Sequence, residues 1–144
     1  MPTIQGVLET ALYVDDVDRS RQFYQELFGF EQFMEDGRIC ALRVPAGTAY
    51  QVLLLFKKGA TLDDIKTLGG VIPKHDGGGD LHMAFSIPKE DYDNWRSELE
   101  KRDIAIESEV AFGQAKSLYF RDLDNHLIEL ATPDIWGEIV KAFR

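Results

Sequence analysis

Glu9, His82 and Glu129 are the residues whose type and setting could do chemistry. Each is a metal-ligating side chain inside a short run dominated by β-branched or large apolar residues: V-L-E-T-A-L-Y-V at 7–14, L-H-M-A-F-S-I at 81–87 and L-I-E-L-A at 127–131. Strand side chains alternate between two faces. Val7, Glu9, Ala11 and Tyr13 therefore share one face, opposite Leu8, Thr10, Leu12 and Val14. His82, Ala84 and Ser86 oppose Leu81, Met83, Phe85 and Ile87, and Leu127, Glu129 and Ala131 oppose Ile128 and Leu130. The apolar rows must pack beneath helices, so the rows carrying the acids and the imidazole face an open surface with room for a ligand. An ionised carboxylate in mid-sheet is costly unless it is paired or coordinates a cation. Two carboxylates and one imidazole converging on a cleft would repel one another without a divalent ion. Their mixed nitrogen and oxygen donors suit Mn, Fe, Co, Ni or Zn better than Ca or Mg. Taken singly, each residue has a plainer reading: a solvated or salt-bridged strand glutamate, or a histidine satisfied in a core or at the surface.

The elements that must position these residues are legible in the pattern. After the first strand, Asp15-Asp16 can cap a helix in which Phe23, Tyr24, Leu27 and Phe28 recur at helical spacing, with Gly29 at its C-terminus. Three apolar stretches follow, near 30–34, 38–44 and 50–56, broken by turns at Asp36-Gly37 and Pro45-Ala46-Gly47. Residues 58–80 read as a Gly-rich linker with one short helix from Leu62 to Leu68. The opening order then returns. A strand at 81–87 precedes Pro88 and a helix with Tyr92, Trp95 and Leu99 on its inner face, then strands at 104–110, 117–120 and 127–131, with Asp124-Asn125 turning between the last two. A final amphipathic helix at about 134–143 gathers Ile135, Trp136, Ile139, Val140 and Phe143 on one side. The pattern predicts an α+β domain spanning 1–144, with βαβββ modules at about 6–57 and 81–132.

Composition narrows the function. The chain has 144 residues, enough for one domain that folds without staples. Sixteen basic against 25 acidic residues leave a net charge of −9, which argues against nucleic acid and anionic membranes as partners. No apolar run approaches the roughly 18 residues of a membrane span. One cysteine, Cys40, excludes an internal disulfide and a cysteine-based zinc site, and it is expected to be buried and inert. The opening residues lack a basic segment followed by an apolar one, so the expected location is cytoplasmic.

The run L-E-T-A-L-Y-V-D-D-V-x-x-S-x-x-F-Y-x-x-x-F-G-F, the segment H-M-A-F-S-I-P and the closing Y-F-R-D-L-D-N-H-L-I-E-L together resemble the vicinal oxygen chelate superfamily. That superfamily contains glyoxalase I, fosfomycin-resistance thiol transferases, extradiol dioxygenases and bleomycin-resistance proteins. The closing pattern departs from the family's F-x-D-P-x-G-N/H-x-x-E at Leu123 and Asn125, and Asn tolerates the left-handed turn conformation a glycine supplies. The resemblance implies an open, cup-shaped mixed β-sheet barrel with its helices outside and a divalent metal (Ni, Mn, Zn, Fe or Co) inside. It places ligands at Glu9, His82 and Glu129, leaves Leu54 where a fourth ligand would stand, and sets Gln51 out of register. It also implies a small-molecule substrate with vicinal oxygens, a homodimer with modules paired either across subunits or within one chain, and a metal acting as Lewis acid in lyase, isomerase or dioxygenase chemistry.

The resemblance also sorts the chemistries. A missing fourth ligand weakens glyoxalase I chemistry, and Glu in place of a second His disfavours extradiol cleavage. Ala11, Glu109 and Glu138 stand where fosfomycin enzymes carry a threonine and cations, which argues against that activity. The alternative function is a metal-free, bleomycin-resistance-like protein that sequesters a cationic ligand in an acidic groove lined by Tyr13, Tyr119 and Trp136. Glu129 and Tyr119 are the candidate catalytic residues, with packing as the competing role for Tyr119. Arg121 is expected in a salt bridge with Asp122 or a linker acid. His75 reads as a solvated loop histidine, or alternatively as a lid residue.

Overall fold

The computed structural model describes residues 1–143 and separates into two compact units, Met1–Gly79 and the chain from Asp80 onward. The first contains β1 (Glu9–Val14), α1 (Val17–Phe28), β2 (Glu31–Glu35), β3 (Ile39–Ala46) and β4 (Ala49–Lys57), then the short strands β5 (Ile65–Thr67) and β6 (Gly70–Ile72). The second contains β7 (His82–Ser86), a 3-10 turn at Lys89–Asp91, α2 (Tyr92–Lys101), β8 (Ser108–Phe112), β9 (Ala115–Arg121), β10 (Leu127–Ala131) and α3 (Ile135–Ala142). Both βαβββ modules are therefore present. No helix among the described residues is long and apolar enough to cross a membrane.

Each module folds into a four-stranded sheet in which its first strand lies parallel to its last, in the orders β1-β4-β3-β2 and β7-β10-β9-β8. The alternation explains why. In the first unit Leu12, Val14, Cys40, Leu42, Leu53 and Leu55 are at most 2% exposed and form one side of the sheet, with Tyr24 of α1 fully buried as well. In the second unit Leu118, Phe120, Ile128 and Leu130 are fully buried, as is Leu99 of α2. Burial of each large side chain stabilises by about 1.5–3 kcal/mol, which commits these rows to the core and fixes which way the opposite rows face.

Local chemistry sets the helix ends. Asp16 caps α1 by accepting the Arg19 N–H at 3.0 Å, and Gly29 ends it in the left-handed region at φ 72°. Asn125 takes the same region at φ 65°, so the turn between β9 and β10 survives without glycine. Burial holds the Cys40 thiol at a pKa of about 11, which keeps it protonated and unreactive at neutral pH.

Three expectations are corrected. Residues 62–68 form no helix: β5 and β6 make a hairpin there, with the Thr67 hydroxyl accepting the Gly69 N–H at 3.1 Å and donating to the Gly70 carbonyl at 2.8 Å. The β-branched Ile65, Thr67, Val71 and Ile72 favour that outcome. The strand expected from Ile104 begins only at Ser108. Pro45 and Ala46 extend β3 rather than turning, so the turn falls at Gly47-Thr48. The apolar side of α3 is only partly used. Ile135 and Ile139 pack with Ala115, Ala131 and Phe112, whereas Trp136 and Phe143 are more than 70% exposed.

Tyr92 links α2 to the second sheet. Its hydroxyl donates to Glu109 Oε1 at 2.7 Å, and Arg96 closes on the same oxygen at 2.6 Å. Burial, reinforced by the bond to Glu109, raises the phenol pKa to about 12 from its usual 10. A raised folded-state pKa contributes stability that is complete below pH 10 and lost as the pH climbs to about 12. Chemical denaturation of wild type across that window should show roughly 2 kcal/mol of lost stability, and Tyr92→Phe should flatten the dependence.

Candidate metal-binding and catalytic site

Parallel pairing of β7 with β10 sets the geometry. His82 lies opposite Leu127 and Ala84 opposite Glu129, so His82 and Glu129 are diagonal neighbours on one face of the sheet. On the other side of β10, Tyr119 lies directly opposite Glu129 and Ser117 opposite Ala131. Ser117, Tyr119, His82 and Glu129 thus share the face turned away from the buried row.

The donors around the pair fix its orientation. His82 Nδ1 is 2.8 Å from the Leu127 carbonyl, which only accepts, so Nδ1 carries the proton. In the neutral ring Nε2 then presents a lone pair, 3.3 Å from Glu129 Oε1. The other carboxylate oxygen, Oε2, accepts the Ser117 hydroxyl at 2.6 Å. Glu129 has a side chain only 11% exposed, and among the described residues its ion-pair partner is His82 alone. Burial, and then the nearby Glu129 charge, pushes the Tyr119 phenol above its usual pKa and keeps it protonated at neutral pH. Its ring lies 6.4 Å from that of His82.

Lone pairs on Nε2 and Oε1 that face each other at 3.3 Å are stable only with a positive charge between them. A divalent cation could supply it. A histidine whose second nitrogen is held by a carbonyl, beside a carboxylate held by a hydroxyl, has the outer support that metal ligands need. The residues present fit a mixed nitrogen and oxygen metal site. Among the described residues no set of three or more His, Cys, Asp or Glu side chains is gathered closely enough to hold a metal ion.

Glu9 belongs to the first unit and is paired there with Val52, beside Ala11 and its partner Leu54. Leu54 therefore shares the Glu9 face, while Gln51, which pairs with Val44, alternates onto the opposite one. His75 is an exposed loop residue, as expected, but its position is fixed by hydrogen bonds. The Thr61 hydroxyl donates to the His75 carbonyl at 2.6 Å, the Tyr13 hydroxyl donates to Thr61 Oγ1 at 2.9 Å, and His75 Nδ1–H then donates to the Tyr13 oxygen at 2.6 Å. Its ring also stands edge-on to Phe56 at 5.2 Å. A Cβ at Gly77 would lie 2.5 Å from the Tyr13 ring, so the linker needs glycine to pass that side chain.

Arg121 pairs with Glu107 at 2.7 Å instead of Asp122. Asp122 is buried, and its carboxylate accepts the backbone N–H groups of Asp124 and His126, both at 2.9 Å. His126, fully buried, accepts the Leu81 N–H through Nδ1 at 3.2 Å and so ties the entry of β7 to that of β10. Sequence reasoning assigned no role to His126, and placed Ser117 on the correct face without seeing that it orients Glu129.

A parallel pairing of first and last strands in each βαβββ module, with a histidine and a carboxylate on the exposed row, defines a glyoxalase-type fold. The family model described as Glyoxalase/Bleomycin resistance protein/Dioxygenase superfamily matches residues 6–130, and the chain belongs to that superfamily. It is 28% identical over 132 residues to the fosfomycin resistance protein FosX of Listeria monocytogenes, covering 88% of this chain and 89% of that one. A crystal structure of lactoylglutathione lyase from Agrobacterium tumefaciens superposes with a TM-score of 0.82 at 28% identity, covering 94% of this chain and 99% of that one. A crystal structure of the Listeria FosX complexed with Mn(II) and sulfate superposes with a TM-score of 0.68 at 22% identity, covering 99% of this chain and all of that one.

The Ser117 hydroxyl donates to Oε2 of a nearly buried carboxylate, so removing it leaves Glu129 Oε2 without that donor. Ser117→Ala should cost about 1–3 kcal/mol in urea unfolding at neutral pH.

Proposed function

We propose that the protein is a divalent-metal-dependent enzyme acting on a small molecule with vicinal oxygens, of the lyase, isomerase or dioxygenase type. The observation that carries the proposal is the aligned pair His82 Nε2 and Glu129 Oε1, each held from behind by a fixed partner. His82 and Glu129 hold the metal, Glu9 is the third protein ligand, and open positions remain for substrate. Bound there, the metal supplies Lewis-acid polarisation of a substrate oxygen. Mn(II) leads the candidates because the similar FosX structure contains it, ahead of Ni, Zn, Fe and Co.

The chain's own residues perform the remaining tasks. Ser117 keeps Glu129 oriented, and the Leu127 carbonyl keeps the His82 ring oriented. Tyr119, protonated and directly across the strand pair from Glu129, donates to the substrate oxygen that gains negative charge. Glu129 is the group best placed to accept a proton from a substrate carbon or hydroxyl.

The similarity to FosX raises fosfomycin chemistry as the particular reaction, and three residues bear on it. Ala11 offers no hydroxyl beside Glu9. Glu109 lies opposite the buried Leu118, engaged with Tyr92 and Arg96, so it faces the helix side and says nothing about the ligand face. Glu138 is bound to Lys141. The reading therefore stays with a small vicinal-oxygen substrate as its class. The active form is a homodimer in which Glu9 of one copy can join His82 and Glu129 of another.

Titration of apo protein with Mn(II), followed by electron paramagnetic resonance, should give about one site per chain. Glu129→Gln, His82→Ala and Glu9→Gln should each weaken it at least tenfold, and wild-type affinity in Glu129→Gln would sink the assignment. Mixing refolded Glu9→Gln and His82→Ala chains should restore a fraction of tight sites if ligands come from two copies, and none if they come from one.

A further inference from the structure

Register places Arg43 level with Glu9 on the first sheet. Glu9 pairs with Val52, Val52 with Arg43 and Arg43 with Glu31, which makes one row across β1, β4, β3 and β2. Paired residues point to the same face, so the guanidinium of Arg43 rises on the Glu9 side, about two strand spacings or ~10 Å away at the backbone. The residue between them, Val52, is short. Among the described strand residues that the register sets on this face, Arg43 alone is basic.

The guanidinium is held in place. Its central carbon lies 4.7 Å from the centroid of the Phe33 ring and 5.0 Å from that of Tyr50, and the two rings stand at 65° to each other as the walls of a corner. Phe33 reaches this position because β2 slips register between Gln32 and Met34, leaving Phe33 as the extra, unpaired residue. A bulge of this kind re-aims a side chain. Cation–π contact with two rings orders a side chain that is otherwise rich in rotamers. One guanidinium nitrogen, Nη1, donates to Glu31 at 2.8 Å, and Glu31 is 68% exposed. A guanidinium carries five N–H donors in a planar fork, so the exposed Glu31 carboxylate and the Tyr50 hydroxyl still leave donors available.

A half-buried arginine fixed by a bulged strand, on the face that carries Glu9, in a chain of net charge −9, is a poor surface decoration and a good anion reader. We propose that Arg43, framed by Phe33 and Tyr50, is a specificity-determining residue that binds an anionic substituent of the substrate, a carboxylate or phosphate, while the substrate's vicinal oxygens occupy the metal. The proposal rests on the metal reading above, through Glu9. Glu31 acts as the stand-in anion in the absence of substrate and swings away when the substrate's own anion arrives.

Binding of three 2-hydroxy acids to the Mn(II)-loaded protein, followed by calorimetry, tests this. 2-Hydroxypentanoate has a neutral tail, 2-hydroxyglutarate a distal carboxylate and 3-phosphoglycerate a distal phosphate. Wild type should bind one of the anionic-tailed acids at least tenfold more tightly than the neutral one, and which of the two wins identifies the anion. Arg43→Met should abolish the preference while leaving affinity for 2-hydroxypentanoate and for Mn(II) unchanged. Arg43→Lys should recover only part of it. Glu31→Gln should strengthen binding of the anionic tail, an effect that loss of a merely structural ion pair would not produce. Equal affinity for all three acids in wild type, or an unchanged preference in Arg43→Met, overturns the proposal while the metal reading stands. Failure of wild type to bind Mn(II), read separately by resonance, is instead failure of that reading, and the role of Arg43 falls with it.

Discussion

The second unit is organised around one expensive object, an ionisable carboxylate set in the middle of a sheet with most of its side chain out of water. Glu129 is flanked in sequence by Ile128 and Leu130, both fully buried on the opposite face, so β10 cannot rotate to release it. No lysine or arginine among the described residues approaches it closely enough to form an ion pair. The surroundings answer with a hydroxyl behind one oxygen and an imidazole beside the other. That arrangement turns a carboxylate oxygen and an imidazole nitrogen toward each other at 3.3 Å, and it is this geometry that makes a cation site the economical reading.

Topology decides which residues can meet there. Because the first strand of each module pairs in parallel with its last, positions far apart in sequence become neighbours: His82 and Glu129 across β7 and β10, Glu9 and Val52 across β1 and β4. The two units apply the same rule to different residues. The second presents an imidazole and a carboxylate on adjacent strands, whereas the first presents Glu9 beside Val52 and Leu54 and so contributes one acid. Buried clamps keep those registers: His126 fastens the start of β10 to the residue before β7, and Asp122 holds the turn that leads into β10.

Much of this was legible in the sequence because it depends on alternation, a local property. The rows of Glu9, His82 and Glu129, the Asp16 cap, Gly29 and the Asn125 turn all follow from a residue and its near neighbours. What escaped depends on partners distant in the chain. The 58–80 segment reads as a linker with a helix because its glycines mask the period-two pattern of Ile65, Thr67 and Ile72. His75 is exposed as the sequence suggests, but the partners that hold it, Tyr13 and Thr61, lie 62 and 14 residues away. Arg121 pairs with Glu107, whereas Asp122, its neighbour in sequence, is buried just past the strand and takes the backbone N–H groups of Asp124 and His126 on Oδ1. The Phe33 bulge has no sequence signature at all, since nothing in E-Q-F-M-E distinguishes a shifted register from a regular one.

Charge is distributed with the same selectivity as apolar surface. In a chain with nine more acids than bases, most arginines are consumed by acids near them in the fold: Arg21 by Asp18, Arg96 by Asp93 and Glu109, Arg102 by Glu98, Arg121 by Glu107. Pairs of this exposed kind contribute little to stability, about 0–1 kcal/mol each. Their effect is to leave the field around the sheet faces to the few charges that the registers place there. On the second sheet that is a carboxylate and an imidazole, Glu129 and His82. On the first it is Glu9 with an arginine fixed by aromatic rings two strands away. Each sheet thus fixes the charges on its open face by strand register rather than through the exposed ion pairs around it.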